Sequence, residues 1–169
     1  KLYQNEYIIR EGNPLLLPAT AHYVTAEYIY KEKYLLQASY YKVKDFSINQ
    51  GYQSDKEFKL LYKTINLDNT ESIDFTLGIP ITIGRWLQSD MMLSLYSERY
   101  VADNWNGLSY NRNKWTPLIW VDNHFYISQK PKITLNVLLG YKGPTIQGIW
   151  DLGAIWGTNI GLKWECLKN

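Results

Sequence analysis

The sequence predicts an all-β chain of about eight antiparallel up-and-down strands, a barrel or partial barrel of the outer-membrane type. Three observations carry this. Apolar residues recur with period two in segments of about 9–11 residues, the length a tilted strand needs to cross hydrocarbon. No segment has a convincing helical period, and no apolar run of about 18 residues exists for a transmembrane helix. The connections between segments alternate short and long, the sorting expected when all the loops of one side face one compartment.

The organising stretch is 73–84. Ile73, Phe75, Leu77, Ile79, Ile81 and Ile83 fall on one side of an extended chain, and Asp74, Thr76, Gly78, Pro80, Thr82 and Gly84 fall on the other. Neighbouring side chains of a strand point to opposite faces, so one surface is large and apolar and the other small and polar. Pro80 donates no ladder hydrogen bond, which points to a bulge or a place near the strand end.

In chain order, residues 2–10 read as a short first strand, and Glu11-Gly12-Asn13-Pro14 as a turn. Val24, Ala26, Tyr28 and Tyr30 share one face of the next strand. Lys31-Glu32-Lys33 is a tight polar turn, and Tyr34, Leu36, Ala38 and Tyr40 continue on one face after it, making a hairpin. Residues 45–56 have loop composition, and 58–64 suggest an extended stretch that breaks at 68–71. Counted together, these form a hairpin projecting beyond the strands. After the organising strand, Met91, Leu93 and Leu95 alternate with Met92, Ser94, Tyr96 and Glu98. Residues 100–114 are predicted as a long Asn-rich loop.

Pro117, Ile119, Val121, Phe125 and Ile127 then alternate with Trp120, Asp122, His124 and Tyr126. Ile133 to Tyr141 form another alternating strand, 143–155 a Gly-punctuated loop, and Trp156, Thr158, Ile160, Leu162 and Trp164 one face of the last strand. The short connections are 31–33, 84–87 and 128–131, and the long ones are 45–56, 100–114 and 143–155. Tyr30, Tyr34, Trp86, Trp115, Tyr141, Trp156 and Trp164 lie near predicted strand ends, where an interfacial girdle belongs.

Composition excludes several function classes. Charged residues are 20% and the formal charge is +2, so there is no nucleic-acid footprint and no polybasic anchor. The single cysteine, Cys166, excludes an intrachain disulfide framework and reads as a small apolar filler. Aromatic residues are 15%, a content shared by strands, sugar-binding surfaces and lipid interfaces. The chain opens on Lys1, as a mature product or an excised fragment would.

The segment Arg10-Glu11-Gly12-Asn13-Pro14-Leu15-Leu16-Leu17-Pro18-Ala19-Thr20 resembles one that precedes a barrel strand in TonB-dependent outer-membrane receptors. Ala19 stands where that family usually has Glu. Residues 26–41 resemble the down-strand, periplasmic turn and up-strand that follow. Gly140-Tyr141-Lys142-Gly143-Pro144, Gln147-Gly148 and Gly161-Leu162-Lys163-Trp164 are similar to the distal barrel of the Bacteroidetes outer membrane protein beta-barrel receptors. The resemblance implies a single β-barrel segment over 1–169, a part of a receptor that builds a barrel of about 22 strands. Its partners would be outer-membrane lipid, the remaining barrel with its plug domain, and TonB acting through an N-terminal part. It implies nutrient uptake, of a siderophore, a glycan or a similar solute, and no enzyme activity.

No constellation of residues signals catalysis, a metal or a cofactor. His22 and His124 are the only histidines, with no further ligands at recognisable spacing. Asp74, Glu98 and Asp151 can be paired as acid and base only on paper, because carboxylates on barrel strands are commonly solvated lumen groups. The ligand-contact candidates are Tyr100, Trp105 and Tyr110 in the Asn-rich loop, and Trp120, Asp122, His124 and Tyr126 on one strand face. The loop aromatics could stack a sugar or hold a siderophore, or simply pack on one another. Two other readings remain open. One is a self-contained eight-stranded barrel, which would pair 2–10 with 156–166. The other is a soluble, aromatic-rich β-sandwich that binds carbohydrate.

Overall fold

The computed structural model describes residues 2–5, 7–53, 58–105, 108–148 and 150–165. These form strands β1 (Leu2–Asn5), β2 (Ile8–Glu11), β3 (Thr20–Tyr30), β4 (Tyr34–Gln53), β5 (Leu60–Ile83) and β6 (Leu87–Trp105). They are followed by β7 (Leu108–Gln129), β8 (Lys132–Lys142), β9 (Thr145–Gln147), β10 (Trp150–Leu152) and β11 (Ile155–Glu165). The main sheet is a meander in the order β3-β4-β5-β6-β7-β8-β11, and β9 and β10 pair only with each other. Among the described residues β3 pairs only with β4 and β11 only with β8, so the sheet is open. Among the described residues the one other sheet is the two-stranded β9–β10 pair, not the second layer that the sandwich would require.

The sequence expectation is corrected at several places. Residues 45–53, 100–105 and 108–114 are strand rather than loop, and β5 continues without a break through 68–71. Alternation marks a strand only where its two faces meet different media. In these segments the covered positions are themselves small or polar, Gln50, Thr70 and Ala102 among them, so no apolar period of two appears while the backbone ladder persists. The first strand is two short ones, and β2 pairs in parallel with the start of β5, Ile8 opposite Leu60 and Glu11 opposite Lys63. Among the described residues, 2–10 and 156–165 do not pair with each other.

The turn between β3 and β4 shows how the register is held. Lys31 and Glu32 both have positive φ, 51° and 55°, and the Lys33 amide donates to the Tyr30 carbonyl at 3.1 Å. Two left-handed central residues define a type I′ turn, whose twist matches that of paired strands and which favours Asn-Gly. Neither Lys nor Glu adopts this conformation without cost. The double substitution Lys31→Asn with Glu32→Gly is therefore expected to stabilise the hairpin by about 1–2 kcal/mol. Urea unfolding in lipid vesicles measures this, and an unchanged midpoint would contradict it.

Contacts divide the chain into two units. The first comprises Lys1–Tyr23, Tyr41–Glu71 and Arg99–Asn113, and the second Val24–Tyr40, Ser72–Glu98 and Lys114–Asn169. The first unit has a conventional small core of Ile9, Val43, Leu67, Tyr100 and Ala102. Its loop after β2 is fastened by Asn13 Nδ2 to the Thr64 carbonyl (3.0 Å) and by Asn66. The Asn66 side chain accepts from the Leu17 amide at 2.9 Å and donates to the carbonyls of Leu17 and Asp45 at 3.1 and 2.6 Å.

Glu71 joins three strands of this unit. Its carboxylate lies 2.8 Å from Lys42 Nζ on β4 and 3.4 Å from Arg99 on β6. The hydrogen bond from Lys42 holds its carboxyl below the ordinary range against some desolvation, helped by the two positive charges. A depressed folded-state value means the stabilisation is present above the unfolded value near 4.5 and is lost as pH falls through the folded value. Glu71→Gln is expected to flatten the loss of stability between about pH 5 and pH 3. Hydrogen exchange of β4 and β5 amides around 42 and 71 in wild type and variant measures it.

The second unit inverts the usual burial. Its buried side chains include Thr76, Ser89, Ser97, Thr116, Thr134 and Thr145. Meanwhile Val24, Tyr28, Leu36, Phe75, Leu95, Ile127, Ile160 and Leu162 are exposed. An exposed apolar surface this extensive on ordered strands is one that water does not face.

Candidate functional site

Alternation and side-chain contacts sort the second unit into two faces. Phe75 of β5 stacks on Trp115 of β7 at 6.5 Å, Tyr30 meets Tyr34 at 6.2 Å, and Trp86 stacks on Phe125 at 6.2 Å. The face carrying these pairs holds the odd-numbered residues 73–83 of β5, 115–127 of β7 and 133–141 of β8, and the even-numbered residues 24–30, 34–40 and 156–164 of β3, β4 and β11. Asn123 is a polar intruder, and its amide is satisfied by the Val137 carbonyl on the next strand at 3.1 Å. All seven expected girdle aromatics are exposed, from Tyr141 at 37% to Trp156 at 76%.

Trp156 pairs across from Tyr141, and Trp164 from Ile133, eight residues further along β11. Eight residues of strand span about 26 Å, or about 20 Å along a membrane normal at a tilt near 40°. That approaches the height of about 25 Å for the apolar band between the aromatic girdles of a membrane barrel.

The opposite face is polar and cross-linked. Thr76 Oγ1 contacts Ser94 Oγ at 2.6 Å and donates to Asp74 at 2.9 Å. Thr25 meets Ser39 at 3.1 Å, and the Tyr126 hydroxyl donates to Gln88 at 3.2 Å. His124 Nδ1 lies 2.8 Å from Asn136 Oδ1, and its Nε2 3.6 Å from Asp122. Lys142 Nζ sits 5.7 Å from the Tyr96 ring centroid.

The connection 143–155 does not project as an open loop. Its β9–β10 hairpin folds back over the polar face. Thr116 Oγ1 on β7 donates to the Pro144 carbonyl at 3.1 Å, and Thr145 Oγ1 donates to Glu98 on β6 at 3.4 Å. Lys114 reaches Asp151 at 3.6 Å. Ile146 at 1% and Thr116 at 0% are the most enclosed side chains described. The hairpin thus crosses β7 to reach β6.

The seven candidate residues separate into two sets. Trp120, Asp122, His124 and Tyr126 line one row on the polar face of β7, as the alternation requires. Tyr100 belongs to the first unit and is not an exposed loop aromatic: it is 6% exposed and packs on Phe46 at 6.5 Å. Tyr110 is half-buried on the first-unit part of β7, and Trp105 ends β6 with its side chain outside the described residues. Cys166 also lies outside them. Thr145 and the glycines beside Trp120 escape sequence reasoning, although Gly140 and Gly157 both fall at polar-face positions. No group of three or more His, Cys, Asp or Glu side chains converges among the described residues.

Long antiparallel strands, an exposed apolar band bounded by aromatics and a polar opposite face define an outer-membrane β-barrel protein. The chain belongs to the Outer membrane protein beta-barrel family, whose profile matches residues 1–169, and it is a protein of the bacterial outer membrane. Searches of curated proteins and of solved structures give no match.

Proposed function

We propose that the chain is part of the barrel wall and outer loops of a TonB-dependent outer-membrane receptor, of the kind found in Bacteroidetes, that imports a nutrient. It acts without catalysis, against outer-membrane lipid, together with further barrel strands and a plug. Uptake is energised by TonB through another part of the receptor.

One observation carries this reading. Seven strands lie on the meander path, and hairpin neighbours run antiparallel, so β3 and β11 at its two ends run in the same direction. Bacterial single-chain barrels close antiparallel with an even strand count. These seven strands close that way only with an odd number of further strands between β11 and β3. The resemblance of 10–20 and 26–41 to receptor segments points the same way, as do the lengths of β4 and β5, 20 and 24 residues, well beyond what hydrocarbon requires.

Electrophoretic mobility before and after boiling, with planar-bilayer conductance, tests it on the 169-residue chain. Alone the chain is expected to give no heat-modifiable band and no steady channel. A heat-modifiable, conducting species formed by this chain alone would support the self-contained barrel instead.

A further inference from the structure

The polar face of the second unit carries two adjoining hollows, one of about 380 Å³ and one of about 330 Å³, and Trp120 lines both. Trp120 pairs across from Gly140, which pairs across from Gly157. A Cβ at Gly140 would meet the Trp120 ring at 3.1 and 3.2 Å, so the indole leans on that glycine. Nothing lies within 4 Å of where a Cβ at Gly157 would be, so the floor beyond the ring is bare. Leu118 and Leu138 wall this first hollow, with Asn159 and Lys142 as its polar groups. The second hollow holds Gly78, Pro80 and Met92 with Asp90, Asp122 and Lys33.

Deepening the transport reading on which it rests, we infer that Trp120 is a stacking platform for neutral, hydroxyl-bearing rings, that is, for pyranose units of an oligosaccharide. A pyranose has an apolar C–H face that covers an indole and equatorial hydroxyls that need acceptors and donors at its rim. Asp90 and Asp122 accept from hydroxyls on one side, and Asn159 and Lys142 serve the other. Charge argues for a neutral solute. Asp90 and Asp122 outnumber Lys33 in the second hollow and Lys142 supplies the charge of the first, so an organic cation or anion would meet a net like charge on passing between the hollows. Each hollow falls within the size range of small-ligand sites and is large enough for a single sugar ring.

Maltotriose is the probe, with tetramethylammonium and benzoate as charged competitors. Saturation-transfer NMR and titration are run on the full chain in a polyoxyethylene detergent, which carries neither sugar nor quaternary nitrogen. Wild type is expected to bind maltotriose in preference to both ions. Trp120→Ala is expected to weaken it at least about tenfold, whereas Trp120→Phe retains affinity within about threefold. Gly157→Leu, whose Cβ meets open space, fills the floor without straining the fold and also weakens binding about tenfold. No maltotriose binding by wild type, equal binding by Trp120→Ala and Gly157→Leu, or tighter binding of either ion would overturn the inference.

The two proposals fail separately. A detergent-dependent chain that ignores maltotriose loses the sugar site but keeps the barrel-wall reading. A chain that binds maltotriose as a monomer in plain buffer keeps the site and loses the membrane reading.

Discussion

Ile160→Arg is expected to cost about 2–4 kcal/mol of folded stability in a bilayer, while Asn159→Arg costs little. Ile160 lies midway between Trp156 and Trp164 on β11 and is 67% exposed on the apolar face. A guanidinium there meets the centre of the hydrocarbon, where burying a charge is most expensive. Asn159, one residue earlier, points to the polar face beside Gly157, where a charge stays hydrated. The neighbouring positions have the same strand propensity context, so the contrast isolates the medium on each side. Equilibrium urea unfolding of the intact protein in phospholipid vesicles reads both variants. Equal effects would mean that the two faces of β11 meet the same solvent.

Gly143→Val is expected to detach the β9–β10 hairpin from the sheet. A Cβ at Gly143 would lie 2.6 Å from Pro117 Cδ and 2.8 Å from Cγ, and a proline ring cannot swing aside. The Gly143 amide also donates to the Pro117 carbonyl at 2.8 Å. Overpacking of this kind costs about 1–3 kcal/mol, enough to release a short hairpin held by a few polar contacts. Amide exchange at Gly143 and Ile146 should accelerate at least about tenfold, with β5 unaffected. Gly157→Val is the control, because its Cβ has open space. Unchanged protection at Ile146 would show that Thr116, Thr145 and Asp151 hold the hairpin without the close approach at Gly143.

What the sequence made legible was local. The period of two in 73–83, 133–141 and 156–164 assigns each residue to a face without knowing any partner strand, and the contacts Phe75–Trp115 and Thr76–Ser94 keep those assignments. The same signal fails where the covered positions are small or polar, as Gln50 and Ala102 are, which is why the ends of β4 and β6 read as loop. It also fails for tertiary placement. Nothing in 143–155 encodes that Thr145 reaches across β7 to Glu98, because this contact spans 47 residues. Tyr100 looked like a loop aromatic for the same reason: its neighbour Phe46 is distant in sequence. The row Trp120, Asp122, His124, Tyr126 was legible because a single strand carries it. The two glycines that make a hollow beside Trp120 come from two other strands.

Lipid is the medium of the face carrying Phe75, Leu77, Ile160 and Leu162. Size-exclusion chromatography with light scattering, run on the 19.9 kDa chain with and without detergent, tests that most directly. Recovery of a defined species only in detergent is the predicted result. A clean monomer in plain buffer would mean that water tolerates this face, and the membrane assignment of the strands would fall with it.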